Sequence, residues 1–184
     1  KVYGSEISDQ VIDHALQILG GYGFIEEYGI ARAYRDDRIN RIWEGTNEIN
    51  RMIISGYMMK KILMEEIPFR EELLNSDSSL NTKIIDSDSF YSSEAIVVES
   101  AKRLAMELLH ESLCEFGQDL KHEQMLTELI AFVFIDISTT ESTVVRVHNN
   151  QDYGAHFHIM DAIAKVQTAE MSTRVISKAF TGFN

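Results

Sequence analysis

The chain has 184 residues, 45% of them hydrophobic, which is typical of a folded protein with one sizeable core or two small ones. Seventeen basic residues stand against 29 acidic ones, so the formal net charge of -12 would repel a nucleic acid backbone or an anionic lipid surface. Composition and charge therefore argue against a disordered chain and against nucleic acid as a partner.

The sequence gives no sign of a targeting signal or of a membrane-spanning segment. No signal peptide is visible, and no apolar run approaches the roughly 18 residues of a membrane span. The sequence starts without methionine, inside an amphipathic pattern, as though a longer chain had been divided in or just before a helix. The lone cysteine, Cys114, has no partner for an internal disulfide and fits a reducing compartment. We therefore expect a C-terminal fragment of a longer protein.

Helical periodicity runs through most of the chain. Apolar residues recur at intervals of three and four, and the chain has only one proline, Pro68. A first helix with an apolar face from Val2 to Leu19 should stop at the glycines of residues 20–23, because glycine accepts the left-handed conformation of a C-terminal cap. A short helix is expected near residues 30–35. The sequence predicts an all-α protein.

The stretch RIWEGTNEINR, residues 41–51, places the carboxylate of Glu44 between Trp43, the only tryptophan, and a Gly45-Thr46 step. Thr46 is a natural N-cap for a following helix. A carboxylate beside an indole and a glycine can lie in a site that excludes water once a ligand closes over it, which suits a general base. Alternatively, Glu44 only caps the helix, because acids are favoured near a helix N-terminus. The spacing alone favours the cap.

The character of the sequence changes at residues 65–89, where a proline, several serines and a run of acids predict a weakly structured linker. This divides the chain into a first domain, residues 1–64, and an additional helical domain, residues 90–184. Three long amphipathic helices are predicted in the second domain, with turns at Gly117 and at residues 149–154. Their short connections predict an antiparallel bundle.

Other groups of polar residues carry weaker signals. The glycines of GGYGF lack the preceding strand of a nucleotide-binding motif. His156 and His158 have no cysteine or carboxylate at ligand spacing, so no metal site is expected. Cys114 lies on an apolar helical face, is expected to have no histidine in the neighbouring turns, and is predicted to be a buried small hydrophobe. A charged run predicts a solvated face or internal ion pairs, and it contains Arg32, Arg35, Asp36, Asp37, Arg38 and Arg41.

Three motifs together resemble the C-terminal part of the acyl-CoA dehydrogenase family. They are QILGGYGF, the Arg-Asp pair of RAYRDDRINR, and the aromatic-Glu-Gly-Thr loop of RIWEGTNEINR, in this order within residues 17–51. The stretches SAKRLAMELLHESLCEFG and ELIAFVFIDISTTESTVVR resemble the extra helical domain of the larger, very-long-chain-like members. The resemblance covers most of the chain, strongly to about residue 60 and weakly afterwards.

The resemblance implies a role for the residue at the centre of the loop. Glu44 would be the base that removes the α-proton of a fatty acyl-CoA thioester while the β-hydrogen leaves as hydride to flavin N5. Trp43 would form an aromatic wall against flavin and substrate, and Gly45 would leave room for the thioester. Such an α-proton is weakly acidic, so the base must be close and poorly solvated. The implied activity is the α,β-dehydrogenation of fatty acid β-oxidation.

The resemblance also implies FAD as the cofactor, held by two stretches. The first resembles the part that meets the FAD diphosphate and adenosine at a helix N-terminus, where exposed amides favour anions, and consists of Thr46, Asn47 and Glu48. The second resembles the patch that receives the adenosine half from a neighbouring subunit, and consists of Gln17, Gly20 and Gly21. We therefore expect a homo-oligomer in which assembly is part of cofactor binding.

Partners and location follow from the resemblance only. An electron-transfer flavoprotein is the expected electron acceptor, and the location would be the bacterial cytoplasm, which we prefer, or the mitochondrial matrix side. The family's N-terminal helices, flavin-covering β-domain and most of the fatty-acyl tunnel are not in this sequence, so the fragment alone should be inactive and should not retain FAD. Whether the last helices approach a membrane stays open.

Four positions depart from the family pattern. Gly29 and Ala31 stand where a proline and a glutamate are frequent, Asp37 where a small residue is common, and Asn50 where a glutamine is. None of them is the base.

A second hypothesis is a non-catalytic helical scaffold, in which the motif survives only as a packing element and the last three helices recruit a partner protein.

Overall fold

The structure, a computed structural model, describes residues 1–71, 73, 92–150 and 154–183. These residues form helices and turns and contain no strand, so the all-α prediction is confirmed. The chain divides into two compact units, residues 1–54 and 55–184. The proposed division into residues 1–64, 65–89 and 90–184 stays a prediction, because most of residues 65–89 lie outside the described part of the chain.

The first unit is built from helices that local signals start and stop. Helix α1 spans Val2–Leu19 and ends at Gly20, whose φ of 58° lies in the region that favours glycine and whose N–H donates a hydrogen bond to the carbonyl of Gln17. Two 3₁₀ turns follow, and helix α2 spans Ile30–Arg38 and packs against α1. The predicted glycine stop and the predicted short helix are both present, and α2 is longer than expected.

Helix α3 spans Asn47–Leu63 and passes from the first unit into the second. In the second unit its C-terminal part contributes the buried Met59 to a cluster with Leu108, Leu109 and Ile130. The hydroxyl of Ser55, also on α3, donates a hydrogen bond to the Thr127 carbonyl. The predicted helix after Thr46 is therefore present, and burial rather than intrinsic preference alone holds its second half.

Three long helices make up the rest of the second unit: α4 (Ser92–Phe116), α5 (Gln124–His148) and α6 (Phe157–Phe183). Each packs against the other two. Their shared core includes Ala105 from α4, Val133 and Ile137 from α5, and Met171 and Val175 from α6. The predicted bundle of three long helices is confirmed.

Candidate active site

The loop that carries Glu44 has an unusual backbone. It follows a 3₁₀ turn over Ile39–Arg41 and leads directly into α3. Glu44 has a φ of 56° and Gly45 a φ of 78°, so two consecutive residues are in the left-handed region. This conformation costs a residue with a side chain about 1–2 kcal/mol. The Glu44 side chain is exposed.

Side chains from both sides hold this loop in place. The amide nitrogen of Asn50 donates to the carbonyl oxygens of Gly45 and Thr46, at 2.7 and 2.9 Å. The ammonium group of Lys1 donates to the same Gly45 carbonyl at 2.8 Å. A Cβ atom on residue 45 would lie 3.1 Å from the Asn50 amide nitrogen, so glycine suits this position by space as well as by φ. The loop that presents Glu44 is therefore braced rather than free.

The helix N-terminus next to Glu44 has its own cap. The Thr46 hydroxyl accepts a hydrogen bond from the Ile49 N–H at 3.3 Å, as the sequence predicts. The backbone N–H of Glu48 and then the Thr46 hydroxyl bond to the Glu48 carboxylate and lower its pKa below the ordinary 4.5. The Glu44 carboxylate makes no hydrogen bond or ion pair with any described residue. Thr46 and Glu48 therefore serve the helix N-terminus, and Glu44 does not.

The ring of Trp43 stands beside this carboxylate in the sequence and is 55% exposed. Its indole nitrogen donates a hydrogen bond to the side-chain oxygen of Asn40 at 3.1 Å. The ring is thus tied to the preceding turn at one edge and open to solvent elsewhere. A flat apolar face next to an acid is what a planar ligand would need, and the expected wall role of Trp43 stays a prediction.

Asn47 lies inside the unit rather than at its surface. It is 2% exposed, and its amide nitrogen donates to the Ser5 hydroxyl at 2.9 Å and to a Glu6 carboxylate oxygen at 3.2 Å. The Glu6 carboxylate also pairs with Arg51 one turn further along α3. The side chain of Asn47 therefore joins α3 to α1, and its expected contact with a cofactor stays a prediction that its backbone would have to fulfil.

The other expected cofactor patch lies at the opposite end of α1. Gln17, Gly20 and Gly21 are exposed, and a Cβ atom added to either glycine would meet nothing within 4 Å. Asn47 bonds to Ser5 near the start of α1, and Gln17 is twelve positions further along the helix, or roughly 18 Å at about 1.5 Å per residue. The two stretches therefore form separate patches.

The charged run behaves as ion pairs and as buried structure. Arg32 pairs with Asp36 at 3.6 Å on an exposed face, and Arg41 pairs with Asp9 of α1 at 3.0 Å. Asp37 differs from its neighbours, because it is only 7% exposed and bonds to other side chains. Both forms of the predicted behaviour occur, and the run contributes to packing α2 against α1.

The prediction for Cys114 is wrong. The residue is exposed, and its sulfur lies 3.7 Å from the Nε2 atom of His110. The histidine comes four residues earlier, which places it one turn away on the same helical face.

No group of three or more potential metal ligands occurs in the described ranges. Within those same ranges no helix is long and apolar enough to cross a membrane.

Sequence reasoning missed the residues that shape the loop. Asn50 was noted only as a departure from the family pattern, and neither Lys1 nor Asn40 was singled out. An asparagine four to six residues after three consecutive loop carbonyls could have indicated a side-chain clamp. The bond from Lys1 spans 44 residues, so no local pattern could have indicated it.

Comparison with known proteins shows that the chain is similar to acyl-CoA dehydrogenases. Residues 1–59 match the family model described as the acyl-CoA dehydrogenase C-terminal domain. A Bacillus subtilis (strain 168) protein named a probable acyl-CoA dehydrogenase is 37% identical over 148 residues, which is 79% of this chain and 25% of that protein. The chain resembles the C-terminal part of an acyl-CoA dehydrogenase. The Bacillus similarity covers 79% of this chain and so extends well past the family-model segment.

Two further relatives extend this comparison. The crystal structure of an acyl-CoA dehydrogenase complexed with FAD from Bacillus anthracis matches 98% of this chain and 31% of that one, with a TM-score of 0.89 and 30% identity. Subunit CarC of the caffeyl-CoA reductase-Etf complex of Acetobacterium woodii is 49% identical over 61 residues, 33% of this chain and 16% of that protein. The chain thus spans about a quarter to a third of the first two acyl-CoA dehydrogenase relatives.

Proposed function

We propose that this chain is the C-terminal part of an FAD-dependent acyl-CoA dehydrogenase in which Glu44 is the catalytic base. The observation that carries the proposal is that the Glu44 carboxylate has no bonding partner in the part of the chain that the structure describes, although its backbone is strained and held in place. It makes no bond to any described residue, yet it sits in a left-handed loop that Asn50 and Lys1 brace. Backbone strain around a side chain with no structural partner is typical of functional sites.

The braced loop suits proton abstraction for a physical reason. A base must be held close to a weakly acidic α-proton, because small misplacements slow the transfer strongly. Gly45 has no side chain to occupy the space next to the carboxylate, and the exposed face of Trp43 can exclude water on one side. Flavin, when bound, supplies an acceptor for the β-hydrogen as hydride. The chain's own contribution is to place the carboxylate and remove the proton.

The exposed end of α1 fits part of the proposed cofactor. Gly20 and Gly21 leave open space for the close approach of a ligand, and the exposed side-chain amide of Gln17 can both donate and accept hydrogen bonds. At the start of α3 the Glu48 carboxylate has a lowered pKa and so is held in its charged form, and this negative charge makes the helix end less favourable for a diphosphate. We therefore assign the Gln17 patch as the main FAD contact of this chain and the α3 N-terminus as a secondary one.

The remaining features of the proposal rest on the relatives. Acyl-CoA thioesters as substrates are supported by the dehydrogenase names of the Bacillus proteins, and a fatty acyl chain and a place in β-oxidation are our own extension of that support. An electron-transfer flavoprotein as partner is supported by the reductase-Etf complex to which the Acetobacterium relative belongs. A homo-oligomer, in which a neighbouring subunit's FAD meets the Gln17 patch, is part of the proposal and is consistent with the separation of the two cofactor patches along α1. A cytoplasmic location is supported by the bacterial relatives, and the 184 residues alone should be inactive.

The deciding experiment uses the full-length flavoprotein that contains this segment. Flavin bleaching is followed anaerobically on adding a panel of acyl-CoA thioesters, for wild type and Glu44→Gln. We expect wild type to bleach and Glu44→Gln to lose bleaching almost completely with flavin still bound, because glutamine keeps the shape and removes the base. The matched control is Glu65→Gln, since Glu65 is also exposed and also has a φ of 56°. It should bleach like wild type.

Two results would contradict the proposal. Equal bleaching of wild type and Glu44→Gln would mean that the base lies elsewhere. Absence of bleaching in wild type, with FAD still bound, would favour the hypothesis of a non-catalytic scaffold. In that case the last three helices would be tested for a protein partner.

A further inference from the structure

A chain of hydrogen bonds leads from α1 to the indole of Trp43. The Ser8 hydroxyl on α1 donates to the Oδ1 atom of Asp37 on α2 at 2.6 Å. The Asn40 amide nitrogen donates to the same oxygen at 3.1 Å, and the Asn40 side-chain oxygen accepts from the Trp43 indole at 3.1 Å. Four side chains are thus connected, and the last one precedes Glu44 directly.

The order of donors and acceptors in this chain has only one solution. A carboxylate can only accept hydrogen bonds, so the NH₂ group of Asn40 must face Asp37. Its oxygen is then left facing the indole, which can only donate. The carboxylate of Asp37 therefore determines which way the Asn40 amide points, and through it where the Trp43 nitrogen can bond.

The burial of Asp37 argues that this arrangement has a use beyond stability. Asp37 is 7% exposed, and its second oxygen, Oδ2, is buried without a hydrogen-bond partner. A buried polar atom left unpaired costs about 1–3 kcal/mol. A stabilising mutation to a small residue would be easy, but it would release Asn40.

We propose that Asp37 is a positioning residue that orients Trp43 through Asn40, and so sets the aromatic wall beside the base. The inference rests on the proposed function only for its consequence in the reaction. The indole has no large contact surface to hold it, because more than half of the residue is exposed. The bond to Asn40 is then the main restraint on the ring, and Asp37 is what gives that bond its direction.

The only tryptophan of the chain makes a direct test possible. Time-resolved fluorescence anisotropy of the 184-residue chain reports on Trp43 alone. We expect Asp37→Ala and Asn40→Ala to free the ring for nanosecond motion, so that the residual anisotropy falls by about half. Asp37→Asn should fall between wild type and these variants, because an amide at this position lets Asn40 point either way.

The matched control is Asp36→Ala, which removes the neighbouring acid on the same helix. Asp36 is exposed and pairs only across the surface with Arg32, so the anisotropy should stay at the wild-type value. Far-UV circular dichroism on every variant shows that α1 to α3 still form. An anisotropy decay of Asp37→Ala that matches Asp36→Ala would overturn the proposal. If Asp37→Ala does not fold, an unchanged decay in Asn40→Ala overturns it instead.

A second readout in the full-length flavoprotein links the ring to the reaction. Asp37→Ala should slow flavin bleaching by an acyl-CoA thioester about tenfold with flavin content unchanged. A displaced Trp43 ring misorients the substrate and slows the chemical step, while the binding of FAD is not affected. A freed indole with an unchanged bleaching rate would overturn the role in the reaction. Failure of the proposed function itself would be seen separately, because Glu44→Gln would then bleach like wild type while the anisotropy results still stood.

Discussion

The backbone at Glu44 is the clearest departure from ordinary conformation in the first unit. Among the described residues, only Glu44 and Glu65 have a positive φ without being glycine. Glycine is the residue that takes such a φ without strain, and the neighbouring Gly45 does so. A carboxylate-bearing residue at position 44 therefore carries an energetic cost in its backbone, and this cost can be measured.

Replacing the acid by glycine should separate stability from chemistry. Glu44→Gly should raise the free energy of unfolding by about 0.5–1 kcal/mol, because relief of the left-handed strain exceeds the extra entropy of a glycine in the unfolded chain. Thermal unfolding followed by circular dichroism checks this, and the same substitution in the full-length enzyme should abolish bleaching. Glu65→Gly should stabilise similarly and leave bleaching intact. A loss of stability in Glu44→Gly would show that the glutamate is a structural residue.

At the scale of elements, the end of α1 depends on one close approach. A Cβ atom on Gly23 would lie 2.6 Å from the carbonyl oxygen of Leu16, and backbone cannot retreat as a side chain can. The glycine stop predicted from the sequence is thus more than a conformational preference of Gly20. Gly23 lets the first 3₁₀ turn fold back against the last turn of α1.

Two glycines in the same turn provide a matched pair. Gly23→Ala should lower the free energy of unfolding by about 1–3 kcal/mol, because the added methyl group forces the turn away from α1. Gly21→Ala should change it by less than about 0.5 kcal/mol, since nothing lies within 4 Å of the added atom. Urea unfolding of both variants gives the comparison. Equal effects of the two substitutions would mean that the close contact at Gly23 relaxes at no cost.

At the scale of the whole molecule, the second unit is a bundle with a polar link inside it. Asp136 on α5 is 5% exposed and accepts two hydrogen bonds from Arg174 on α6, both at 2.8 Å. The bonds to Asp136, opposed by partial burial, raise the pKa of Arg174 above its usual value. Two parallel bonds set the register of α5 against α6 as well as joining them.

Removing the buried acid should therefore unsettle the bundle. Asp136→Asn should lower the free energy of unfolding by about 2 kcal/mol, less than for a fully buried pair because Arg174 is partly exposed and water can reach it. The control is Glu170→Gln, which removes the exposed partner of the same arginine and should cost about 0.5 kcal/mol or less. Urea unfolding monitored at 222 nm measures both. A comparable loss in the two variants would show that burial of Asp136 contributes nothing.

Features that depend on neighbouring residues can be predicted from the sequence. The helical period, the glycine stop at Gly20, the Thr46 cap and the bundle of long helices follow from contacts within one or two turns, so a short stretch contains their cause. The motifs within residues 17–51 likewise pointed to the family that the comparisons support. Cys114 shows the limit of local patterns, because the apolar helical face predicts burial and the structure leaves the residue exposed.

Which polar side chains bond to each other depends on how the helices pack, and the sequence pattern does not indicate it. Asn47 meets Ser5 across 42 residues, and Asp37 meets Ser8 across 29. These pairs form because packing α1 against the two following helices brings their side chains together, and the hydrophobic pattern that drives packing does not record its polar partners. The same packing separates the Glu44 carboxylate, which no described residue engages, from the buried Asp37 carboxylate that directs Trp43.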